Sequence, residues 1–285
     1  MRRLRPYLFI APALAVIAIV FVYPVVEVAR LSLFRVSGGG ESFAGLGNYR
    51  SLLRDEMFLR ALQHNGQLLI AVPIMLFLGL VLAVILFEGV GGWKAYRSIL
   101  FMPYILSIPV VGIVFGYIFQ LNGILNQALR AMGLDFLAAD WLGSSRFALW
   151  TVMFVVIWKE FGFGVVLFLA RLMSVEEELY EAASLEGAGW LQVLFKITIP
   201  QLATVIEFYV VIMVITMLSW VFNYVYVMTS GGPGNATMVA EYYIYLEGFR
   251  YNLQGIAAAA SIVLLAVTAL LILARSRITR RIELE

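Results

Sequence analysis

The stretch EAASLEGAGWLQVLFKITIP, Glu181 to Pro200, lies between two long apolar segments but is too polar and too interrupted to cross a bilayer itself. Just ahead of it, Ser174 and Glu177 have the spacing of a capping box, and Glu176, Glu177 and Glu178 suit the positive end of a new helix. Leu179, Ala182, Ala183 and Leu185 give that helix an apolar side. Gly187 and Gly189 interrupt it. A second amphipathic run then begins at Trp190, Leu191, Leu194 and Ile197, and Pro200 suits the first turn of a following helix. The spacing predicts a helix–turn–helix lying on a membrane surface, a shape suited to docking another protein.

The rest of the chain agrees with that placement. Of 285 residues, 62% are hydrophobic and only 13% charged, which indicates an integral membrane protein. The net charge of +2 is spread along the chain, so nothing points to nucleic acid. There is no cysteine and one histidine, His64, which excludes thiolate catalysis, disulfides and a His/Cys zinc centre within the chain. His64, on an outer loop without partner ligands, reads as a polar surface residue. Neither a catalytic group, a metal site nor a cofactor is expected.

A helix crossing the hydrocarbon core needs about 20 apolar residues. Six segments qualify: residues 7–34, 68–87, 99–121, 147–172, 202–228 and 255–274. The first follows Arg2, Arg3 and Arg5 and contains Ala13-Leu14-Ala15, but it runs on too far for a cleaved leader and reads as a signal anchor. With the N-terminus inside, the inner segments hold 11 of the 20 Lys and Arg and the longer outer loops hold 7. Arg275, Arg277, Arg280 and Arg281 close the chain on the same side. Both termini and the loop 174–200 are therefore expected in the cytoplasm. The three outer loops are too short for an enzyme domain of ordinary size, so a single transmembrane domain over 1–285 is expected. A short outer helix is expected from about Phe43 to Leu62, and Gly112 with Gly116 permits close helix packing.

Two clusters of polar residues fall inside the apolar segments. Lys159 and Glu160 sit mid-segment beside Phe163, with Gly162 and Gly164 able to unwind the helix locally. Adjacent residues point about 100° apart on a helix, so the two charges are not expected simply to neutralise each other. They either belong to a solute path or fix the assembly of subunits, and both readings stand at this point. In the next segment Ser219, Trp220, Asn223 and Tyr224 combine aromatic rings with amide and hydroxyl groups, which suits a sugar or, alternatively, the outer interfacial belt.

Glu181, Ala182, Ala183, Gly187, Ile197, Ile199 and Pro200 together resemble the EAA loop of permease subunits in bacterial ATP-binding-cassette (ABC) importers. The resemblance extends to Tyr23-Pro24, Phe43 to Tyr49, Trp141-Leu142, Thr229 to Pro233, and Gly255 with the alanines 257–260. It covers nearly the whole chain and points to the sugar and glycerol-3-phosphate type. It implies an all-α, six-span type I importer permease fold in the bacterial inner membrane, with a cytoplasmic coupling helix. Glu178, Glu181, Ala182, Ala183 and Gly187 would then dock an ATPase, and Glu160, Phe163, Trp220 and Asn223 would lie on the solute path. The implied partners are a second and different permease subunit, two ATPase subunits and an external solute-binding protein. The chain has no GxxxxGK[ST] phosphate loop, so ATP would bind elsewhere. Glu176 stands where the family usually has proline, Glu186 where it has aspartate, and Asn223 where an aspartate often precedes the outer loop. The first two are chemically mild; the third lies near the expected solute path. An ion-coupled transporter using Lys159, Glu160 and Glu207 is the main rival, and a membrane enzyme the second. Neither needs a docking helix.

Overall fold

The structure, a computed structural model, describes residues 5–37 and 40–282. Arg2 and Arg3, which bear on the expected orientation, lie outside that range. Helix dominates because apolar segments in lipid must satisfy their backbone polar groups internally. In chain order the elements are α1 (Phe9–Leu31 in its apolar part), β1 (Phe34–Ser37), β2 (Gly40–Phe43), α2 (Gly47–Leu52) and α3 (Glu56–Phe87). Then come α4 (Trp93–Ile105), α5 (Ile108–Ile118), α6 (Ile124–Ala131), α7 (Ala148–Leu172) and α8 (Glu177–Leu185). The last are α9 (Trp190–Met228), α10 (Ala240–Tyr245) and α11 (Gln254–Ile282). Among the described residues five helices are long and apolar enough to cross a membrane, and α4 with α5 makes a sixth if that bent pair counts as one span.

Two compact units are present, residues 1–62 with 240–285 and residues 63–239. In the first, α1 stops at Leu31 rather than Phe34 because the chain turns there into a hairpin. The Arg30 guanidinium sets the corner: it donates to Glu27 at 2.7 Å and to Glu41 on β2 at 2.9 Å. Phe34 faces Phe43 across the ladder. The expected single helix to Leu62 is two, broken by Asp55, whose carboxylate accepts from the backbone of Met57 at 2.8 Å and so starts α3. The other oxygen of Asp55 accepts from the Tyr243 hydroxyl at 2.8 Å. Burial, then the Asp55 carboxylate, push the nearby Glu247 carboxyl up from its ordinary value.

In the second unit α7 is the axis, with 61% of its most apolar window buried against its neighbours α3, α4 and α9. The predicted straight span over 99–121 is instead bent by 94° between α4 and α5. The physical reason is local: Leu106 and Ser107 are extended, and Pro109, in the first turn of α5, has no N–H to bond the Ile105 carbonyl, so α4 cannot run on into α5. Gly112 does pack closely, against Val227, whereas Gly116 has open space. His64 is not a free surface residue, because its Nδ1 lies 2.7 Å from the Met238 carbonyl. The second amphipathic run and the following span merge into one 39-residue helix, α9. A widened turn at Leu194–Thr198 immediately precedes Pro200, so the missing N–H and bulky ring fit without breaking the helix.

Candidate functional site

The loop between α7 and α9 is built around α8. Glu177 and Glu178 occupy its first turn, complementing the positive helix end. The predicted capping box does not form. The helix starts after an extended Glu176, while the Ser174 hydroxyl donates to the Arg171 carbonyl at 2.7 Å and accepts from the Arg171 guanidinium at 3.0 Å. That arginine, three residues upstream, captured the hydroxyl before the helix could use it.

The end of α8 follows the expected break. Gly187 adopts φ +76°, its N–H bonds the Ser184 carbonyl at 3.0 Å, and the Ala188 N–H reaches the Ala183 carbonyl at 3.0 Å. This is a Schellman termination, which a residue with a Cβ adopts only under strain. Past it, the Gly189 N–H donates to the Gln192 side chain at 3.0 Å and starts α9. The Trp190 indole N–H donates to the carboxylate of Glu88, just past α3.

Of the apolar positions on α8, only Ala183 turns inward. Leu185 is 90% exposed, Leu179 is exposed as well, and Glu178, Glu181 and Ala182 are open to solvent. A cavity of about 580 Å³ adjoins α8, walled by Phe87, Trp93, Leu172, Met173, Glu177 and Tyr180. The structure therefore brings Glu178, Glu181, Ala182, Ala183 and Gly187 together on one short element that leaves most of its surface uncovered.

The polar residues of α7 behave in the opposite way. Lys159 and Glu160 are both buried and lie 3.4 Å apart, so they do meet, contrary to the expectation from their helical angle. The flexible lysine stem lets its ammonium donate to the Tyr104 carbonyl at 3.0 Å while remaining beside Glu160. Glu160 also accepts from the Tyr224 hydroxyl at 2.8 Å. Gly162 and Gly164 do not unwind α7. They admit close neighbours, the Leu100 carbonyl at one and the Tyr209 ring at the other.

Phe163 stacks on Tyr104 with ring centres 5.0 Å apart. Trp220 ends a widened turn of α9, Thr216–Trp220, and is 57% exposed. Asn223 donates back to the Trp220 carbonyl at 3.2 Å. Thus Trp220 and Asn223 stand on the open side of α9, while Glu160 is withdrawn behind Tyr224. Sequence reasoning missed Asn65, whose amide donates to the Met217 carbonyl inside the widened turn at 3.3 Å. The available signal was a cluster of amides, Gln63, Asn65 and Gln67, at the entrance to an apolar run. It also missed Tyr104, which nothing in the pattern of an apolar run distinguishes from packing.

Residues 67–284 match the sequence profile of the family described as "Binding-protein-dependent transport system inner membrane component". A probable ABC transporter permease protein of Bacillus subtilis (strain 168), YurN, is 37% identical over 272 residues, 93% of this chain and 92% of that protein. The lactose transport system permease protein LacF of Rhizobium radiobacter is 33% identical over 250 residues, 86% of this chain and 83% of that protein. Among solved structures, a chain of the bacterial alginate ABC transporter in complex with an alginate pentasaccharide-bound periplasmic protein superposes with a TM-score of 0.85. It shares 25% identity, with 99% of this chain and 96% of that one covered.

Proposed function

This chain belongs to the family of binding-protein-dependent transport system inner membrane components and is a permease subunit of an ABC importer; on that premise we propose that it carries a carbohydrate and is driven through α8. The observation that carries the proposal is α8 itself. It is a short helix between two spans, with its apolar side outward and a left-handed glycine at its end. An exposed amphipathic helix of this size suits insertion into a groove on a partner. We assign that groove to a separate ATPase, whose rigid-body motion on binding nucleotide would reach α7 and α9 through the loop. Glu178, Glu181, Ala182, Ala183 and Gly187 form the docking element in this account.

The other partners follow from the same premise. One permease chain supplies half of a path, so a second permease subunit, two ATPase subunits and an external binding protein complete the machine. The loop 174–200 and both termini face the cytoplasm, and residues 229–254 lie outside. The carbohydrate assignment draws on the lactose and alginate named for the similar proteins. The exposed Trp220 and, one turn on, the Asn223 amide, which donates to its carbonyl, support it, because a sugar presents apolar faces and a polar rim. Glu160 and Phe163 complete that part of the path, the first by holding Tyr224 beneath it.

Vesicles containing the assembled complex and its binding protein test the proposal, with and without trapped ATP, against a panel of labelled oligosaccharides and glycerol-3-phosphate. Uptake should require internal ATP and the ATPase chain. Uptake driven equally well by an ion gradient without any ATPase would remove it. Orientation has its own test in this cysteine-free chain. A single cysteine at Asn235 should react with an impermeant thiol reagent outside intact cells, and one at Ser184 should not.

A further inference from the structure

Arg171 makes three side-chain hydrogen bonds at the base of the docking loop. It is the second-last residue of α7 and is half-buried. Its Nε donates to the backbone carbonyl of Gln201 at 3.1 Å, and one terminal nitrogen donates to the Gln201 side-chain oxygen at 3.0 Å. Its other terminal nitrogen donates to the Ser174 hydroxyl at 3.0 Å, and that hydroxyl donates back to the Arg171 carbonyl at 2.7 Å. One planar fork thus joins the end of α7, the linker before α8, and α9 one residue past Pro200. The two residues it ties are 30 apart in sequence, and everything between them is the loop.

We infer that Arg171 is a positioning residue for coupling, a clamp that closes the base of the docking loop so that α8, α7 and α9 move as one body. This rests on the reading of α8 as the docking element. On its α9 side α8 joins Trp190 through the short turn 186–189, which the Ala188–Ala183 and Gly189–Gln192 hydrogen bonds hold, but on its α7 side it hangs from the non-helical stretch 173–176. Without a tie, a push on α8 would be absorbed by rotation about that stretch. Planar guanidinium contacts to two acceptors on Gln201 and one on Ser174 remove those rotations, which a lysine with a single point contact could not do. Trp190, bonded to Glu88, anchors the other side of the turn to the segment following α3.

The test uses the whole complex, with its ATPase subunits, and spin labels at cysteines replacing Ser184 on α8 and Ser145 just before the far end of α7. Distances are measured by pulsed electron resonance with and without ATP trapped by vanadate; no transported solute is needed. With Arg171 present, trapping should leave the 184–145 distance unchanged within about 1 Å, since both labels ride one body. With Arg171→Met, trapping should shift or broaden it by about 2 Å or more, the size of a helix shift. Arg171→Lys should fall between the two. A narrow, unshifted distance in Arg171→Met would overturn the clamp. If that variant fails to assemble, Gln201→Met, which removes one acceptor and spares the carbonyl, carries the same comparison with the same two outcomes. Gly187→Asp run in parallel separates the underlying reading. Loss of the ATPase there, with an unchanged distance in Arg171→Met, sinks the clamp alone. Full retention and normal stimulation of the ATPase in Gly187→Asp sinks the docking reading itself.

Discussion

Gly162 and Gly187 stand on opposite sides of one boundary in this molecule. A Cβ added at Gly162 would lie 2.0 Å from the Leu100 carbonyl oxygen, whereas one at Gly187 would meet nothing within 4 Å. The difference extends to their surroundings. Around Gly162 the chain is closed on itself: Lys159, Glu160, Tyr224 and Tyr104 satisfy one another in the interior. Around Gly187 hydrophobic side chains such as Leu185 stand in the open. Changes in the closed region should therefore be read out as loss of the fold. Changes in the open region should be read out as loss of a partner. That division makes the molecule testable one region at a time.

The largest effect is expected at Gly162. Gly162→Leu forces a side chain into a backbone carbonyl that cannot yield, at a cost of roughly 3 kcal/mol or more. Detergent-solubilised protein should elute as aggregate or fail to accumulate in the membrane; a monodisperse, thermally normal variant would break the closed half of the comparison. Next comes Glu160→Ala, which leaves Lys159 buried beside an empty position and should cost about 3 kcal/mol in thermal unfolding. Tyr224→Phe removes one hydrogen bond to a charged group, about 2 kcal/mol. Should Glu160→Ala retain full thermal stability yet abolish uptake, Glu160 contacts solute and the boundary must be redrawn.

Smaller shifts are expected at exposed positions. Trp220→Ala and Asn223→Leu should move stability by only about 0.5 kcal/mol while impairing uptake in the assembled complex. An unaltered uptake in both would take them off the path. Glu247 offers the gentlest probe of the other unit. Because its carboxyl is pushed up, the native fold holds that proton more tightly than the unfolded chain does. The stability it contributes is complete at pH values below the ordinary carboxylate range and is lost as pH rises through the raised value. Glu247→Gln should flatten this part of the profile, seen by thermal unfolding between about pH 4 and 8. An unchanged slope would exclude Glu247 as its source.

Much of this was legible in the sequence because apolar length and glycine placement are strong signals. The acidic triplet Glu176 to Glu178 marks the first turn of α8 and Gly187 its end, while the expected cap at Ser174 lies two residues ahead of the observed one at Glu176. The bend between α4 and α5 was not drawn from the sequence, since the run over 99–121 carries no charged residue and Pro103 and Pro109 within it were not weighed. The hairpin at Phe34–Phe43 was hidden for a related reason. Phe34 extends the apolar run, and only the Arg30–Glu41 contact, eleven residues apart, shows that the helix has ended. Ser174 was misassigned as a cap because a neighbour competed for its hydroxyl. The pairing of Lys159 with Glu160 was missed because a long flexible stem does not obey the angle of its Cβ.

The central claim is that the loop around α8 couples this permease to a separate ATPase, and Gly187→Asp tests it most directly. An aspartate at φ +76° carries backbone strain of about 1–3 kcal/mol and places a hydrated charge on a surface meant to meet a partner. The spans keep their own hydrogen bonds, so insertion and abundance should stay normal. The account predicts that the variant, purified with its complex, loses the ATPase or loses stimulation of hydrolysis by the loaded binding protein. Normal co-purification together with normal stimulation would contradict it.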